Sequence, residues 1–79
     1  MNKQVQTSDA RTLLAANIQR LRLQKGISQE KLAEMAGFHR TYMSQVERCI
    51  ANPTLDNVQK IAVALAVPIA SLLEPPNRG

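Results

Sequence analysis

The stretch from residue 38 to residue 50, F-H-R-T-Y-M-S-Q-V-E-R-C-I, predicts a helix with two unlike faces. At about 100° of rotation per residue, one face collects Tyr42, Met43, Val46 and Ile50. The opposite face carries only polar side chains: Arg40, Thr41, Ser44, Gln45 and Arg48. Side chains of these kinds suit phosphates and base edges in a major groove. The pattern therefore favours a helix that packs on one side and binds nucleic acid on the other.

Glu47 interrupts the apolar face of this helix and needs a cationic partner, because a carboxylate turned toward a core is costly unless it is paired. A first helix is predicted from about Ala10 to Lys25. In that helix Arg22 lies at the edge of the apolar stripe, whereas Arg20 points nearly the opposite way. We therefore predict an ion pair between Arg22 and Glu47.

The remaining chain completes an all-α pattern, with helices predicted over residues 10–25, 28–36, 55–66 and 68–74. Their starts are marked by helix-capping residues or an initial proline, namely Ser8 or Asp9, Ser28, Thr54 and Pro68. His39 is the predicted N-cap of the helix in the first stretch, and Gly37 supplies the tight turn before it. Inward positions are predicted at Leu14, Ile18, Leu21, Leu32, Met35, Ala36, Leu55, Val58, Ile61, Ala62 and Leu65. Two short consecutive helices with a glycine turn between them are typical of a helix-turn-helix.

Composition narrows the class of protein. Seventy-nine residues with 44% hydrophobic content allow one small domain, and a net charge of +4 favours an anionic partner. The lone Cys49 excludes an internal disulfide, and the polar N-terminus is not a signal peptide. The apolar run Ile61 to Leu73 is interrupted by Pro68 and is too short for a bilayer span. We expect a cytoplasmic protein without membrane contact, metal or cofactor. We expect no enzymatic activity, because one His and one Cys do not provide a nucleophile with its base and orienting group.

The last predicted helix carries more apolar surface than one helical face can bury within its own domain. Ile69, Leu72 and Leu73 lie within five residues near the chain end. Exposed apolar surface of this kind marks an interaction site. We therefore predict a homodimer interface at these three residues.

Five motifs together resemble the lambda-repressor-like (Cro/repressor, XRE-type) helix-turn-helix family, over about residues 13 to 73. The motifs are L-x-x-x-I-x-x-L-R, G-I-S-Q-E-K-L-A, A-G-F-H-R-T-Y-M-S-Q-V-E-R, N-P-T-L and I-A-x-A-L-x-V. The run R-T-Y-M-S-Q-V-E-R is also similar to the controller proteins of restriction–modification systems. The resemblance implies a five-helix domain, which we place over residues 9–74. Because residues 1–8 are polar and unpatterned, we predict that they form a flexible arm, and residues 75–79 form a tail. It implies binding of a double-stranded DNA operator as a homodimer.

The resemblance also assigns roles to individual residues. Base-reading places fall on Arg40, Thr41, Ser44 and Gln45. Phosphate-contacting places fall on Gln29, His39, Tyr42, Arg48 and Asn52, although spacing alone does not separate a phosphate-bound Gln29 from a solvated one. Arg22 and Glu47 match the family's internal ion pair, in agreement with the helix geometry. The last helix matches the usual dimerisation element.

Cys49 departs from the family pattern, which mostly has glycine after E-R. Either the third helix runs further than usual, or the loop after it has another shape. The biological role also stays open among a restriction–modification controller, a phage-type repressor and an antitoxin acting on its own promoter. A protein-interaction module is the alternative class, with a toxin or a subunit of RNA polymerase as its partner.

Overall fold

Four α-helices and a final 3-10 helix make up the part of the chain that the structure, a computed structural model, describes, residues 10–75. Their bounds are α1 Ala10–Gln24, α2 Gln29–Ala36, α3 Arg40–Glu47, α4 Leu55–Leu65 and the 3-10 helix Ile69–Leu73. The predicted all-α class is confirmed, with the fifth element a 3-10 turn instead of an α-helix. The predicted arm, the Ser8 or Asp9 cap and residues 76–79 of the predicted tail lie outside the described residues.

The helix starts follow the capping residues in the sequence. Ser28 Oγ accepts a hydrogen bond from the Lys31 amide at 2.9 Å, and Thr54 Oγ1 accepts one from the Asn57 amide at 3.1 Å. Each hydroxyl satisfies an amide that has no partner within the helix. His39 is the N-cap of α3 as predicted, but its side chain makes no capping hydrogen bond.

The core is formed by one apolar face from each helix. Helices α2 and α3 pack together, α4 covers α2, and the 3-10 helix closes the gap between α1 and α4. The buried apolar residues are Leu14, Ile18, Leu21, Leu32, Ala33, Ala36, Met43, Val46, Val58, Ile61, Ala62, Leu65 and Leu72. Most of the predicted inward positions are therefore confirmed, and α3 presents its apolar face to this core as expected.

Three residues that helical periodicity turned inward are exposed instead. Met35 lies in the last turn of α2 and Leu55 in the first turn of α4, where no neighbouring helix covers them. Ile50 lies beyond α3, which ends at Glu47, so helical rotation no longer sets its direction. Periodicity predicts the angle of a side chain around an axis but not whether a neighbour reaches that end of the helix.

Leu72 corrects part of the predicted dimer interface. Its side chain is completely buried in the core of its own domain, so it is unavailable to a second copy. Ile69 is partly buried against the core, whereas Leu73 stays substantially exposed. The compact 3-10 turn thus inserts one of the three apolar residues into its own domain.

Asn17 is a buried polar residue that anchors this C-terminal segment to α1. Its Nδ2 donates to the main-chain oxygens of Leu72, at 3.0 Å, and Glu74, at 2.9 Å. Its Oδ1 accepts from the Arg20 guanidinium at 3.1 Å. Because every polar atom of the amide has a partner, its burial is compensated.

No helix among residues 10–75 has the length and apolar character needed to cross a membrane.

Candidate nucleic-acid interface

The polar side chains of α3 form a continuous surface on the side of the helix away from the core. Arg40, Thr41 and Arg48 are exposed, and Ser44 and Gln45 are half-buried between them. These five residues, with Gln29 and Ile50, line a shallow depression of about 280 Å³. The structure therefore brings the four predicted base-reading residues together on one side, with Arg48 at the C-terminal end of the helix.

The turn before α3 sets the direction of this surface. Gly37 has a φ of 81°, in the left-handed region that glycine adopts without a Cβ clash. The Phe38 amide then donates to the Ala33 carbonyl at 2.8 Å, which folds the chain back on α2. Buried Met43 and Val46 hold the other side of α3 against the core. The polar surface is thus carried on a helix that is fixed at its start and along its length.

Arg22 and Glu47 form the ion pair that the sequence predicts. Arg22 Nε lies 2.9 Å from Glu47 Oε2, and Arg22 Nη2 lies 3.1 Å from Glu47 Oε1, a two-pronged contact. Only 11% of the Arg22 side chain and 4% of the Glu47 side chain are exposed. Arg22 Nη1 also donates to the Ile27 carbonyl at 3.1 Å, so one guanidinium joins α1, the turn before α2, and α3.

Gln29 is a third member of this cluster, which the sequence did not predict. Its Nε2 donates to Glu47 Oε1 at 3.2 Å. The amide is therefore held at the N-terminus of α2, beside the depression that Arg40 and Thr41 line. The cluster orients Gln29 toward the same surface as α3, and it leaves the amide oxygen and the second N–H proton for other partners.

Tyr42 lies at the border between core and surface and is engaged inside the domain. Its hydroxyl accepts a hydrogen bond from Asn57 Nδ2 at 3.1 Å. Its ring makes an edge contact with Phe38, with ring centroids 5.0 Å apart. Lys60 Nζ lies 5.9 Å from the centroid of the Phe38 ring. Tyr42 therefore ties α3 to α4, and its hydroxyl proton remains available as a donor.

The loop after α3 has the left-handed shape that a glycine would favour, although Cys49 occupies it. Cys49 has a φ of 62°, and the helix stops at Glu47. The sequence left two alternatives, a longer third helix or a loop of another shape, and the structure shows neither. A side chain in this conformation costs about 1 kcal/mol. Arg48 and Asn52, two predicted phosphate contacts, are exposed on either side of Cys49.

The first helix reaches this loop, which was not predicted. The Cys49 thiol donates to the Arg11 carbonyl, with 3.7 Å between sulfur and oxygen. Exposed Arg11 also lines a shallow cavity with Asn52 and Pro53. Ile50 lines the depression at α3, although the sequence did not predict it as part of that surface. Its apolar type placed it in the core by periodicity, and the signal that it lies elsewhere is that α3 ends three residues earlier.

Comparison with known proteins identifies relatives of this arrangement. A helix-turn-helix family model matches residues 18–72. A hypothetical transcription factor of Neisseria meningitidis serogroup B is 48% identical over 68 residues, which are 86% of this chain. This chain spans 64% of that relative's length.

Two controller proteins are similar along most of their length. The control protein C.BamHI of Bacillus amyloliquefaciens is 44% identical over 86% of this chain and 85% of its own. The crystal structure of the restriction–modification controller C.AhdI from Aeromonas hydrophila superposes with a TM-score of 0.76 at 37% identity. That match covers 78% of this chain and 94% of C.AhdI.

Proposed function

This chain belongs to the Cro/repressor, XRE-type, helix-turn-helix family of DNA-binding transcriptional regulators, and from that premise we propose its specific action. It binds a pseudo-palindromic operator as a homodimer and regulates the adjacent promoter. The observation that carries this proposal is the exposed polar face of α3, held on the core by Met43 and Val46 and by the Arg22–Glu47 pair.

In the proposed complex α3 enters the major groove and its polar face reads bases. Arg40 is the strongest candidate, because an arginine that donates two hydrogen bonds to a guanine contributes about 1–3 kcal/mol of discrimination. Thr41 and Ser44 offer hydroxyls, and Gln45 offers an amide suited to adenine. These four side chains share one depression, so they would meet neighbouring base pairs.

Phosphate contacts position the domain and surround the base-reading residues. Gln29 and His39 lie at the N-terminal ends of α2 and α3, and Arg48 and Asn52 lie in the loop after α3. We assign these four side chains to the DNA backbone, and Tyr42 to the same role through its hydroxyl proton. Such contacts add affinity but little sequence information.

A homodimer is supported by an apolar surface at the C-terminal side of the domain. Leu73 and Leu55 are both exposed and line one cavity with Pro53. Leu73 and the partly buried Ile69 retain the dimer role proposed for the last helix, while Leu72 belongs to the core. Two copies would set their recognition helices about 34 Å apart, one turn of the double helix.

The biological setting we favour is control of a restriction–modification operon. This choice is supported by the similarity to C.AhdI, a restriction–modification controller protein, and to the control protein C.BamHI. A general repressor or an antitoxin acting on its own promoter would use the same surface. RNA polymerase is the further partner expected if the protein activates transcription.

Selection of bound sites from random duplex DNA at physiological salt tests the proposal. We expect an inverted repeat with half-sites about one helical turn apart. Arg40→Ala should relax one position in each half-site and weaken binding about tenfold or more. Lys25→Ala removes an exposed cationic side chain outside the depression, and it should leave the selected sequence unchanged.

Absence of enrichment would contradict the proposal. If the protein instead showed only weak, salt-sensitive binding to all DNA, the cationic surface would be a non-specific attraction. A salt-resistant complex with another protein would then support the protein-interaction module as the function.

A further inference from the structure

All four α-helices end in the same backbone motif. The left-handed residues are Gly26, Gly37, Cys49 and Ala66, with φ of 69°, 81°, 62° and 59°. In each case the next residue donates its amide back to a carbonyl five residues earlier. These bonds are Ile27 to Arg22, Phe38 to Ala33, Ile50 to Gln45 and Val67 to Ala62, at 3.1, 2.8, 2.8 and 3.0 Å. This is the Schellman motif, in which the donating residue is often apolar and packs back on the helix.

Ile50 differs from its three counterparts. Ile27, Phe38 and Val67 are partly buried and pack against the core. The Ile50 side chain is 56% exposed and lies in the depression with Gln45, Thr41 and Arg40. The same motif therefore directs three apolar side chains into the protein and one onto the candidate DNA surface.

The position of Ile50 on this surface is held by the backbone. The amides of Ile50 and Ala51 both donate to the Gln45 carbonyl, at 2.8 and 3.1 Å. The loop is thus tied to the last turn of α3, which places the Ile50 backbone beside the proposed base-reading Gln45. An apolar group held in this way costs little conformational entropy when a partner covers it.

The major groove offers one apolar group to such a side chain, the C5-methyl group of thymine. We propose that Ile50 is a specificity-determining residue that packs against a thymine methyl next to the base pair read by Gln45. This assignment rests on the proposed function and adds a base preference to it. Guanine, adenine and cytosine carry no methyl group at the same edge, so they offer the Ile50 side chain less apolar surface to cover.

Removal of single methyl groups from the selected operator tests the assignment. Each thymine of a half-site is replaced in turn by deoxyuridine, which differs only by the missing methyl group, and the Kd is measured. For the wild-type protein, the replacement at one of these thymines, made in a single half-site, should weaken binding about fourfold. This is the value of one buried methyl group. For Ile50→Ala the same replacement should change the Kd by less than twofold, because the partner of the methyl group is gone.

Two controls separate this role from a structural one. Leu23→Ala removes an equally exposed apolar side chain of α1 outside the depression, and it should retain the fourfold methyl effect. Urea unfolding should give Ile50→Ala a midpoint close to that of the wild type, whereas Val67→Ala should lower the midpoint, since Val67 packs on the core.

The outcomes distinguish this inference from the function on which it rests. If random DNA yields no preferred site, the proposed function fails and takes this assignment with it. If a site is selected but no methyl removal acts through Ile50, only the assignment of Ile50 is overturned. The same holds if Ile50→Ala weakens binding to every sequence equally, which would indicate a contact with the sugar–phosphate backbone.

Discussion

Glu47 is a carboxylate whose two oxygens are bonded by side chains from two other helices, Arg22 of α1 and Gln29 of α2. The residue belongs to α3 but points away from the polar face of that helix. Its burial is compensated only while these partners are present, because an isolated buried charge has no solvent to stabilise it. The contact therefore couples the position of α3 to the two helices behind it.

Removing Glu47 should cost more than replacing the whole pair. Glu47→Ala leaves the Arg22 guanidinium largely buried with only the Ile27 carbonyl, and it should lower the free energy of unfolding by about 3 kcal/mol. The double variant Arg22→Met with Glu47→Leu should lose less, since no charge is left behind. Urea unfolding of both variants measures the difference. Unchanged stability and unchanged DNA affinity in Glu47→Ala would show that the pair has no structural role.

Helix starts were the most predictable elements of this protein, because a capping hydroxyl acts on an amide only three residues away. Ser28 and Thr54 mark the starts of α2 and α4, and both cap as expected. His39 is the exception, since it has the extended backbone of an N-cap without a side-chain acceptor in place. The His39 imidazole is exposed at the start of α3, where the proposed function assigns it to a DNA phosphate.

His39→Ser separates the two roles of this position. A serine with the same backbone geometry should cap α3 and raise the free energy of unfolding by about 0.5–1 kcal/mol. If the imidazole contacts a phosphate, the same substitution should weaken operator binding equally for all sequences. Unfolding in urea and DNA titration measure the two effects. A more stable variant with wild-type affinity would remove His39 from the phosphate contacts.

Other features of the elements were not predictable from the sequence pattern. The register of a helix follows from its apolar spacing, which is why Leu14, Ile18 and Leu21 lie in the core as expected. The exposure of Met35 and Leu55 depends on where neighbouring helices end, and that is a property of the packed molecule. In the candidate site the pattern predicted the polar face of α3, but it missed the bond from Gln29 to Glu47. The burial of Asn17 was predictable in part, because an amide within the apolar stripe of α1 needs hydrogen-bond partners inside the protein.

At the scale of the whole molecule, two of the six large apolar side chains that are exposed within residues 10–75 lie at one cavity, where the proposed homodimer would cover them. Leu73 and Leu55 remain exposed around one cavity, although the domain has buried Leu72 completely. Exposed apolar side chains that lie side by side are the kind of surface that a protein partner covers, which is why the proposed dimer is placed here. The exposed apolar side chains therefore indicate where a second copy would bind in the proposed dimer.

Leu73→Arg should yield a folded monomer with weak operator binding. The substitution adds a charge to the exposed patch without entering the core, so the helical signal in circular dichroism should remain. Sedimentation should show half the mass of the wild-type species. Leu72→Arg is the contrasting variant, and it should unfold the domain, because an arginine has no partner within the core. A Leu73→Arg protein that stays dimeric would exclude this patch as the interface.

Cys49, with its left-handed backbone, has a use that follows from its place and from its being the only cysteine in the 79-residue sequence. Its exposed thiol lies one residue beyond the C-cap of the recognition helix. A nitroxide attached there needs no other thiol removed, and a homodimer would carry two such labels related by symmetry. The distance between the two spins, read by pulsed electron paramagnetic resonance with and without DNA, would then act as a ruler for the separation of the two recognition helices.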